Sequence, residues 1–505
     1  MKRDGTLESL WQKTTPEFNS KNNNWNDKLF DVVIVGGGIT GVTTALLLQQ
    51  QGKQCLIAES FNIGFGTTSG TTAHLNTLLD TPYSIIEKNF GEDGAKLVAK
   101  GAKEAINIVE ILSSKYKINN DFSYQYATLF AQNEDENKEL KKIFEATIKA
   151  GVEGRWTDKI PVPADFTIAA EFAGQAQMHP TRYIAALAQA FEAAGGVIVQ
   201  NCKVTDVKDG EILNINTTQG VITANNLVWA THLPPGINLF NFRCAPYRSY
   251  AAAFKLADGT YPAGLAYDMK DPYHYYRSQT IDGEKYLIAG GYDHKTGHNE
   301  NTGFAFTELD AHIHNLYKGS KISAKWSSQY YESVDGLPYI GLMPGSDNVY
   351  AATGYGGNGM TYGTLAARIV TDLITTKYSI YKDIFSPSRM KPIAGLSNFI
   401  KENADAISSF IGKRLNYESI EQLAELAPGE ARVTEFNGEK MALYKDDNGK
   451  VHAFDPVCPH AKCIVNWNTA EKTWDCPCHG GRYSCMGQLI TGPATKGLER
   501  ITIYE

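Results

Sequence analysis

Residues 31–59 combine, in order, an apolar strand, a glycine-rich turn, a helix and a second strand that ends at an acid. The turn has the spacing Gly36-x-Gly38-x-x-Gly41, and the acid is Glu59. Gly36 allows a tight turn, Gly38 lets the backbone approach a pyrophosphate, and Gly41 lets the helix pack on the strand. The helix N-terminus stabilises phosphate charge, and Glu59 is placed to accept hydrogen bonds from a ribose. The sequence therefore predicts a βαβ unit that binds a dinucleotide, of either the nicotinamide or the flavin kind.

A second glycine-rich loop, residues 354–361, follows an apolar strand and precedes a predicted helix. It also has the Gly-x-Gly-x-x-Gly spacing, which alone would suggest a second dinucleotide site. Against that reading, no acid closes a following strand, because the helix runs into a linker that contains proline. Residues 63–74 are rich in glycine, serine and threonine, and a backbone of this kind is suited to run along an extended cofactor.

Near the other end of the chain, two short loops each pair one cysteine with one histidine. They read Cys458-x-His460 and, after fifteen intervening residues, Cys476-x-x-His479. Four such ligands can hold zinc or a [2Fe-2S] cluster, but zinc sites favour Cys-x-x-Cys with paired histidines. A mixed pair in each loop favours a cluster in which one iron takes both thiolates and the other takes both imidazoles.

These loops resemble those of the Rieske subunits of cytochrome bc complexes. The resemblance implies a disulfide between Cys463 and Cys478 that ties the two loops together. It extends to the residues of a cluster-covering loop and its Gly-Pro turn, namely Gly480, Tyr483, Gly487, Gly492 and Pro493.

Two positions in this stretch bear on the reduction potential of the cluster. By the resemblance, Tyr483 is expected to hydrogen-bond a ligating sulfur and raise the potential. The bc subunits carry a serine that bonds a bridging sulfide where this chain has Gly481. Because hydrogen bonds to sulfur tune the potential, we expect a value below that of bc-type centres.

Length and composition restrict the class of protein. A chain of 505 residues suggests roughly three structural units. Its formal net charge of −7 gives no reason to expect nucleic acid or an anionic membrane as a partner. The polar start lacks a signal-peptide pattern, and no apolar run is long enough to span a membrane. Five of the eight cysteines lie in the last 50 residues, which indicates a local metal site rather than a secreted disulfide scaffold. We expect a cytoplasmic protein.

The first βαβ unit, the 63–74 stretch, the motif Asp335-Gly-Leu-Pro and the second glycine loop together resemble the glycine/D-amino-acid oxidase (DAO) superfamily of FAD enzymes. The resemblance implies FAD rather than NAD, with the helix after the second loop facing the N1–C2=O edge of the flavin. Covalent attachment at His74, known in some relatives, is not expected. The residues implied for FAD binding are Gly36, Gly38, Ile39, Thr40, Gly41, Glu59, Ser60, Thr67, Thr71, Thr72, Ala73, His74, Val204, Ala230, Thr231, Gly354, Gly356, Gly357, Asn358, Gly359, Met360 and Thr361.

The expected fold class is α/β plus all-β: a Rossmann-type FAD-binding domain with an interleaved antiparallel-sheet substrate domain, followed by a small β Rieske domain. The expected divisions are a polar arm at 1–28, the DAO-like oxidoreductase at 29–380, a connector with a helix at 381–428 and the Rieske domain at 429–505. Within the oxidoreductase, the FAD-binding parts are expected at about 29–84, 180–243 and 331–380, and the substrate-domain parts at about 85–179 and 244–330.

Arginines flanked by tyrosines mark a candidate substrate site at Arg248 and Arg277. Such an arginine can hold a carboxylate bidentately while the rings wall the site. The alternative, a packed sheet interior with solvated arginines, stays open. We favour Arg277, with Tyr275 beside it, because the superfamily often places a substrate-anchoring residue on these strands.

The expected function is an FAD-dependent dehydrogenase of a small amine or amino-acid-like substrate, which passes electrons through the [2Fe-2S] cluster to an unidentified acceptor. The alternatives are an O2-using amine oxidase with a structural cluster, and an electron-transfer or redox-sensing protein without its own substrate. A Rieske oxygenase would need a mononuclear iron domain after the cluster, but only 26 residues follow His479.

Overall fold

The computed structural model describes residues 3, 5–26, 28–299, 301–389, 423–436 and 438–503. The helix expected within the connector, around residues 396–411, lies outside the described residues. The α-helices are α1 Leu10–Lys13, α2 Ile39–Gln50, α3 Tyr83–Lys115, α4 Glu134–Lys149, α5 Pro180–Ala193, α6 Thr302–Leu316 and α7 Gly359–Thr376, and the 3₁₀ turns are Thr67–Ser69, Leu239–Phe242 and Leu423–Glu425.

The strands fall into two groups along the chain. Those before the connector are β1 Leu29–Val35, β2 Cys55–Ala58, β3 His74–Leu75, β4 Ser123–Ala131, β5 Gly154–Thr157, β6 Ile168–Gln177, β7 Val197–Val199, β8 Val204–Lys208, β9 Leu213–Thr217, β10 Gly220–Trp229, β11 Cys244–Lys255, β12 Leu265–Asp268, β13 Tyr275–Ile281, β14 Glu284–Lys295, β15 Lys321–Ser333, β16 Tyr339–Leu342 and β17 Val349–Thr353. Those after it are β18 Ala431–Phe436, β19 Glu439–Lys445, β20 Val451–Phe454, β21 Asn466–Asn468, β22 Thr473–Asp475, β23 Arg482–Ser484, β24 Leu489–Thr491 and β25 Arg500–Ile501.

The first sheet has the strand order β16-β17-β10-β1-β2-β7, with β8 and β9 attached beside β10. β17, β10, β1, β2 and β7 run parallel. All four residues of β2 are buried, as expected for a parallel strand covered on both faces. Helix α2 contacts both α7 and α5, and it begins shortly after β1. The carboxyl ends of β1 and β10 therefore meet the N-termini of α2 and α7 at one edge of the sheet.

The second sheet has nine strands in the order β15-β11-β14-β13-β12-β4-β6-β3, with β5 beside β6. Its neighbouring strands are antiparallel except for β12 and β4. This is the large antiparallel sheet that the tyrosine-rich stretch predicts. Alternate residues of each strand point to opposite faces. One face of this sheet packs toward the first sheet. The other face packs toward residues near the C-terminus of the chain.

Residues 423–436 and 438–503, called here the C-terminal unit, contain two four-stranded antiparallel sheets. Their orders are β18-β19-β20-β25 and β21-β22-β23-β24. The cysteine- and histidine-containing loops lie before β21 and between β22 and β23. A separate buried cluster that includes Phe454, Trp474 and Tyr483 forms the core of the unit.

The C-terminal unit docks against the second sheet through buried charges. Arg248 on β11 pairs with Glu471 of the C-terminal unit at 2.5 Å, and both side chains are fully buried. Glu471 also pairs with Arg482, whose Nε lies 3.2 Å from Asp475 Oδ1. Buried charges are tolerated only when they are paired in this way, so the contact fixes one relative placement of the two parts.

The N-terminal segment packs against the rest of the molecule. Trp11 is fully buried, and its Nε1 donates to the Thr71 carbonyl at 2.6 Å. Arg3 donates to the Ser327 carbonyl on β15, while its own carbonyl accepts from Arg482 of the C-terminal unit. The segment therefore joins three parts of the molecule. Among the described residues, no helix is both long and apolar enough to cross a bilayer.

Candidate functional site

A cavity of about 500 Å³ lies between the two large sheets and is closed on one side by the C-terminal unit. This volume is typical of a ligand site. Most residues predicted to bind the dinucleotide line it: Gly36, Gly38, Ile39, Thr40, Glu59, Ser60, Thr67, Thr71, Thr72, His74, Val204, Ala230, Thr231, Gly356, Gly357, Asn358, Gly359 and Met360.

Four of the predicted residues support the cavity wall from behind it. A Cβ on Gly41 would lie 1.9 Å from a backbone oxygen of the strand–helix turn, so Gly41 packs the helix against the strand. Gly354 has a φ of +77°, which favours glycine. Ala73 is fully buried, and the hydroxyl of Thr361 exchanges hydrogen bonds with the backbone of Asn76.

The first glycine turn leaves the N-terminus of α2 open to the cavity. Its N-cap is Gly38, which has no side chain to occupy the first-turn amides. One of these amides, Ile39 N, donates to Thr68 Oγ1 at 3.0 Å. Glu59 lies beside the turn and accepts from Gly37 N at 2.6 Å. Burial raises the pKa of Glu59, and the Gly37 amide opposes that rise. The arrangement fits a pyrophosphate at the helix end and a ribose at the acid.

The segment after the turn places the ring of His74 at the cavity. Asn76 Nδ2 donates to the Tyr267 hydroxyl at 2.8 Å, and Tyr267 lies 3.1 Å from His74 Nδ1. The other ring nitrogen of His74 is Nε2. That Nε2 is buried and has no partner among the described residues. Burial, with Arg277 nearby, holds the pKa of His74 well below its usual range, so the ring is neutral.

The second glycine loop meets an acid that sequence reasoning missed. Asp80 Oδ2 accepts from Gly357 N at 2.8 Å, and Asn358 Oδ1 accepts from Asp80 N at 2.8 Å. Since the Asn358 side chain bonds Asp80, it does not cap α7, whose first turn stays uncapped. Burial raises the pKa of Asp80. The first residues of α7 line the cavity, and a helix N-terminus there suits a group that gains negative charge.

The wall formed by the second sheet carries tyrosines and a second acid. The Tyr330 hydroxyl donates to Asp293 Oδ2 at 2.8 Å, and the hydroxyls of Ser249 and Tyr275 lie 2.8 Å apart. Tyr273 donates to the other acid, Asp80, at 3.3 Å. Burial raises the pKa of Asp293 to about 6, and the nearby Ser249 and Tyr330 hydroxyls oppose the rise.

The predicted arginine clamp requires correction, because neither arginine reaches the cavity. Arg277 is fully buried and donates to the carbonyls of Thr72, Ala73 and Met178. It lies on the same face of β13 as Tyr275, but the 72–73 segment covers it. Its guanidinium therefore holds residues 72–73, which are predicted to bind the cofactor, through hydrogen bonds to their carbonyls.

Arg248 is also directed away from the cavity. Its neighbour Ser249 lines the cavity, so Arg248 points to the opposite face of β11, where it pairs with Glu471. It holds the C-terminal unit in place. Of the three residues predicted to position substrate, only Tyr275 lines the cavity.

The four predicted cluster ligands meet in the C-terminal unit. The rings of His460 and His479 have centroids 4.9 Å apart, and both Nδ1 atoms are buried without a partner among the described residues. Burial lowers the pKa of His460, and burial and His460 lower that of His479 to about 4. The sulfurs of Cys458 and Cys476 contact each other, which lowers the pKa of Cys458 to about 7. Two neutral imidazoles and two neighbouring sulfurs fit a [2Fe-2S] cluster.

The structure forms the disulfide between Cys463 and Cys478. The sulfur of Cys476 lies within 4.8 Å of both, which would suggest a three-cysteine metal site. The disulfide leaves two of these three sulfurs without a thiolate to offer a metal. The ligand set with two histidines is therefore the better description.

Two contacts surround the ligating sulfurs. The Tyr483 hydroxyl lies 3.0 Å from Cys458 Sγ. A Cβ added at Gly481 would lie 3.8 Å from the same sulfur and 3.3 Å from the Tyr483 hydroxyl. The first contact is the geometry expected from sequence, and the second position is where the bc subunits carry serine.

A single layer of residues connects the cluster loop to the cavity. Gln329 on β15 lines the cavity, and its Nε2 donates to the Gly480 carbonyl at 2.9 Å. Tyr331 donates to the His479 carbonyl at 2.9 Å, and its ring packs edge-on against His232, another cavity residue. The C-terminal unit also supplies cavity residues of its own, which sequence reasoning missed: Arg482, Leu489, Ile490, Thr491, Gly492 and Ala494.

Comparison with known families agrees with this geometry. Residues 31–373 match the model of the DAO family, described as FAD dependent oxidoreductase, and residues 417–502 match the Rieske [2Fe-2S] domain. The chain therefore belongs to the DAO family of FAD-dependent oxidoreductases and carries a C-terminal Rieske domain. Its cofactors are FAD and a [2Fe-2S] cluster.

Among individual relatives, the Rieske 2Fe-2S iron-sulfur protein YhfW of Bacillus subtilis is 32% identical over 502 residues, which is 98% of each chain. Gamma-glutamylputrescine oxidoreductase of Escherichia coli is 24% identical over 68% of this chain and 83% of its own length. The crystal structure of glycine oxidase from Geobacillus kaustophilus matches 72% of this chain and 99% of its own, with a TM-score of 0.62 and 20% identity. That structure supports the fold alone.

Proposed function

We propose that the protein is a dehydrogenase that oxidises a small amine or amino-acid-like compound and delivers the electrons through its Rieske domain to an external acceptor. The single observation that carries the proposal is the shared wall: Gln329 lines the cavity and bonds the cluster loop at Gly480. The names of two relatives refer to gamma-glutamylputrescine and to glycine, an amine and an amino acid.

The proposed oxidation removes two electrons and two protons from the amine. A C–H bond next to the nitrogen loses a hydride and the nitrogen loses a proton, which gives an imine that water converts to a carbonyl compound and an amine or ammonia. When bound, FAD would take up the two electrons and the cluster would carry single electrons onward. A one-electron acceptor therefore has to be used twice for each substrate molecule.

The chain itself supplies binding, orientation and exclusion of water. The uncapped N-terminus of α7 offers partial positive charge to the flavin region, and the Nε2 of His74, which has no partner among the described residues, lies in a residue that lines the same cavity. The tyrosine-rich wall of the second sheet faces them across the cavity. Positioning a neutral amine against this region needs no further base.

The test is anaerobic mixing of the holoprotein with a panel of amines and amino acids. Flavin bleaching is followed by visible absorption, and cluster reduction by electron paramagnetic resonance. The expected result is that one compound bleaches the flavin and a Rieske signal then appears. Peroxide released stoichiometrically in air would favour the oxidase alternative. Cluster reduction by dithionite, without flavin bleaching by any amine, would favour the redox-sensing alternative.

His479→Ala provides a matched control. Because it removes a predicted cluster ligand without touching the cavity, substrate should still bleach its flavin, while the Rieske signal should be lost. If this variant turned over a one-electron acceptor as fast as the parent protein, the cluster would not lie on the electron route.

A further inference from the structure

The cavity wall formed by the second sheet carries negative charge among aromatic rings. Asp293 lies on β14, and Asp80 lies beside the second glycine loop, where it accepts from the Tyr273 hydroxyl. Tyr273, Tyr275 and Tyr330 line the same space, and the rings of Tyr273 and Tyr275 are 5.9 Å apart. Aromatic faces and carboxylates together form the surroundings that proteins use to hold organic cations.

The hydrogen-bond donors to both acids are neutral groups. Asp293 Oδ2 accepts from the Tyr330 hydroxyl, the neutral Ser249 hydroxyl lies nearby, and Oδ1 is buried with no hydrogen-bond partner among the described residues. Asp80 accepts from the Gly357 amide and the Tyr273 hydroxyl. A buried carboxylate oxygen without a partner is costly, and a cationic ligand would remove that cost.

The cationic side chains near the cavity are engaged elsewhere. Arg277 and Arg248 do not line it, as described above. Arg482 pairs with acids of the Rieske domain, Lys203 donates to a carbonyl at 2.5 Å, and Arg3 donates to a carbonyl at 2.8 Å. A substrate carboxylate placed against the second sheet would therefore meet two acids and, within the part of the chain that the structure describes, no arginine clamp.

We propose that the substrate is an aliphatic diamine or polyamine without a carboxylate next to the reacting nitrogen, and that Asp293 binds its non-reacting ammonium group. Tyr273, Tyr275 and Tyr330 enclose the alkyl chain and the cation. Asp80, which accepts from the Tyr273 hydroxyl, adds a second carboxyl group to the cavity lining. This inference names the substrate class of the proposed dehydrogenase and rests on that function.

The test uses three compounds that differ by one group each. They are 1,4-diaminobutane, butylamine, which lacks the second ammonium, and ornithine, which adds a carboxylate beside one nitrogen. Anaerobic flavin bleaching of the holoprotein gives the rate and the apparent affinity for each. We expect 1,4-diaminobutane to have the highest kcat/KM. Losing a charged hydrogen bond of about 1.5–3 kcal/mol corresponds to roughly a 10- to 150-fold deficit for butylamine.

Asp293→Asn keeps the shape of the side chain and removes its charge. It should raise the KM for 1,4-diaminobutane about 10- to 100-fold and change that for butylamine little. Asp258→Asn, at an exposed turn where the carboxylate accepts only from Thr260 N, serves as the control. Equal FAD absorbance in all proteins shows that they are folded and loaded. Isothermal titration calorimetry with tetramethylammonium, which cannot be oxidised, measures binding of the cation independently of turnover.

The outcomes separate the two proposals. Faster reduction by ornithine than by 1,4-diaminobutane would overturn the cation site and leave the dehydrogenase standing. An unchanged 1,4-diaminobutane KM in Asp293→Asn would overturn the role of Asp293. If no amine bleached the flavin but tetramethylammonium still bound, and bound less tightly to Asp293→Asn, the dehydrogenase would fall while the cation site remained.

Discussion

The hydroxyl of Tyr483 offers a measurable control on the reduction potential of the cluster. It lies 3.0 Å from Cys458 Sγ in a fully buried site. Burial raises the pKa of Tyr483, so the hydroxyl keeps its proton and donates to the sulfur. The bond is stronger in the reduced state, because the added electron makes the sulfur more negative. It therefore favours reduction.

The size of the effect follows from the value of one hydrogen bond. A net contribution of about 0.5–1.5 kcal/mol, at about 59 mV for each tenfold change in a one-electron couple, corresponds to roughly 20–65 mV. We therefore expect Tyr483→Phe to lower the midpoint potential by about that amount in a redox titration monitored by electron paramagnetic resonance. Gly481→Ser, whose Cβ would lie 3.8 Å from the same sulfur, should shift the potential upward.

Tyr444→Phe is the matched control. Tyr444 lies in the same domain but packs against Trp467 and His452, so its loss should leave the potential unchanged. An intact Rieske spectrum with no fall in potential for Tyr483→Phe would refute the reasoning. A parent potential equal to that of bc-type centres would contradict the effect assigned to Gly481.

Three further predictions concern the cavity and the domain contact. Gly41→Ala should purify with little FAD, because its Cβ would lie 1.9 Å from a backbone oxygen. The control Gly303→Ala, whose Cβ would lie 3.6 Å from the nearest atom, should retain FAD. Equal flavin absorbance in the two variants would contradict this prediction. Arg248→Ala should destabilise the protein by about 1.5–3 kcal/mol, seen as a lower denaturation midpoint, because Glu471 loses one of its two buried arginine partners; an unchanged midpoint would show that the pair contributes nothing. The kcat/KM for 1,4-diaminobutane should rise with pH as the reacting ammonium loses its proton, and below about pH 6 it should fall by a further factor of about ten per pH unit, because Asp293 takes up a proton and loses its charge; Asp293→Asn should lack this additional fall.

Local sequence patterns predicted the cofactors because each pattern is contiguous. The first glycine turn positions Gly38 and Glu59 within one βαβ unit, and the cluster ligands lie in two short loops. Chain geometry alone brings such residues together. The same reasoning could not find Asp80 or Asp293, which come from distant parts of the chain and meet only across the cavity.

The prediction that Arg248 or Arg277 anchors the substrate failed for a related reason. Alternation along β11 and β13 assigns each residue to one of the two faces of its strand. The sequence does not tell which face is covered, or which segment covers it. Arg277 lies on the cavity side of β13, but residues 72–73 cover its side chain. Arg248 faces the Rieske domain. The surroundings of each arginine are determined by a packing partner that lies far away in the chain.

The meeting of residues from both ends of the chain at the cavity has a consequence for biosynthesis. Arg3 bonds the carbonyl of Ser327 and contacts Arg482, and residues 489–494 form part of the cavity wall. At about 5–20 residues per second, the ribosome completes the second glycine loop, at residue 361, roughly 6–26 s before it reaches this last wall. During that interval the nucleotide cleft is open on the side that the Rieske domain later closes. Flavin loading can therefore precede the packing of the Rieske domain against the cavity.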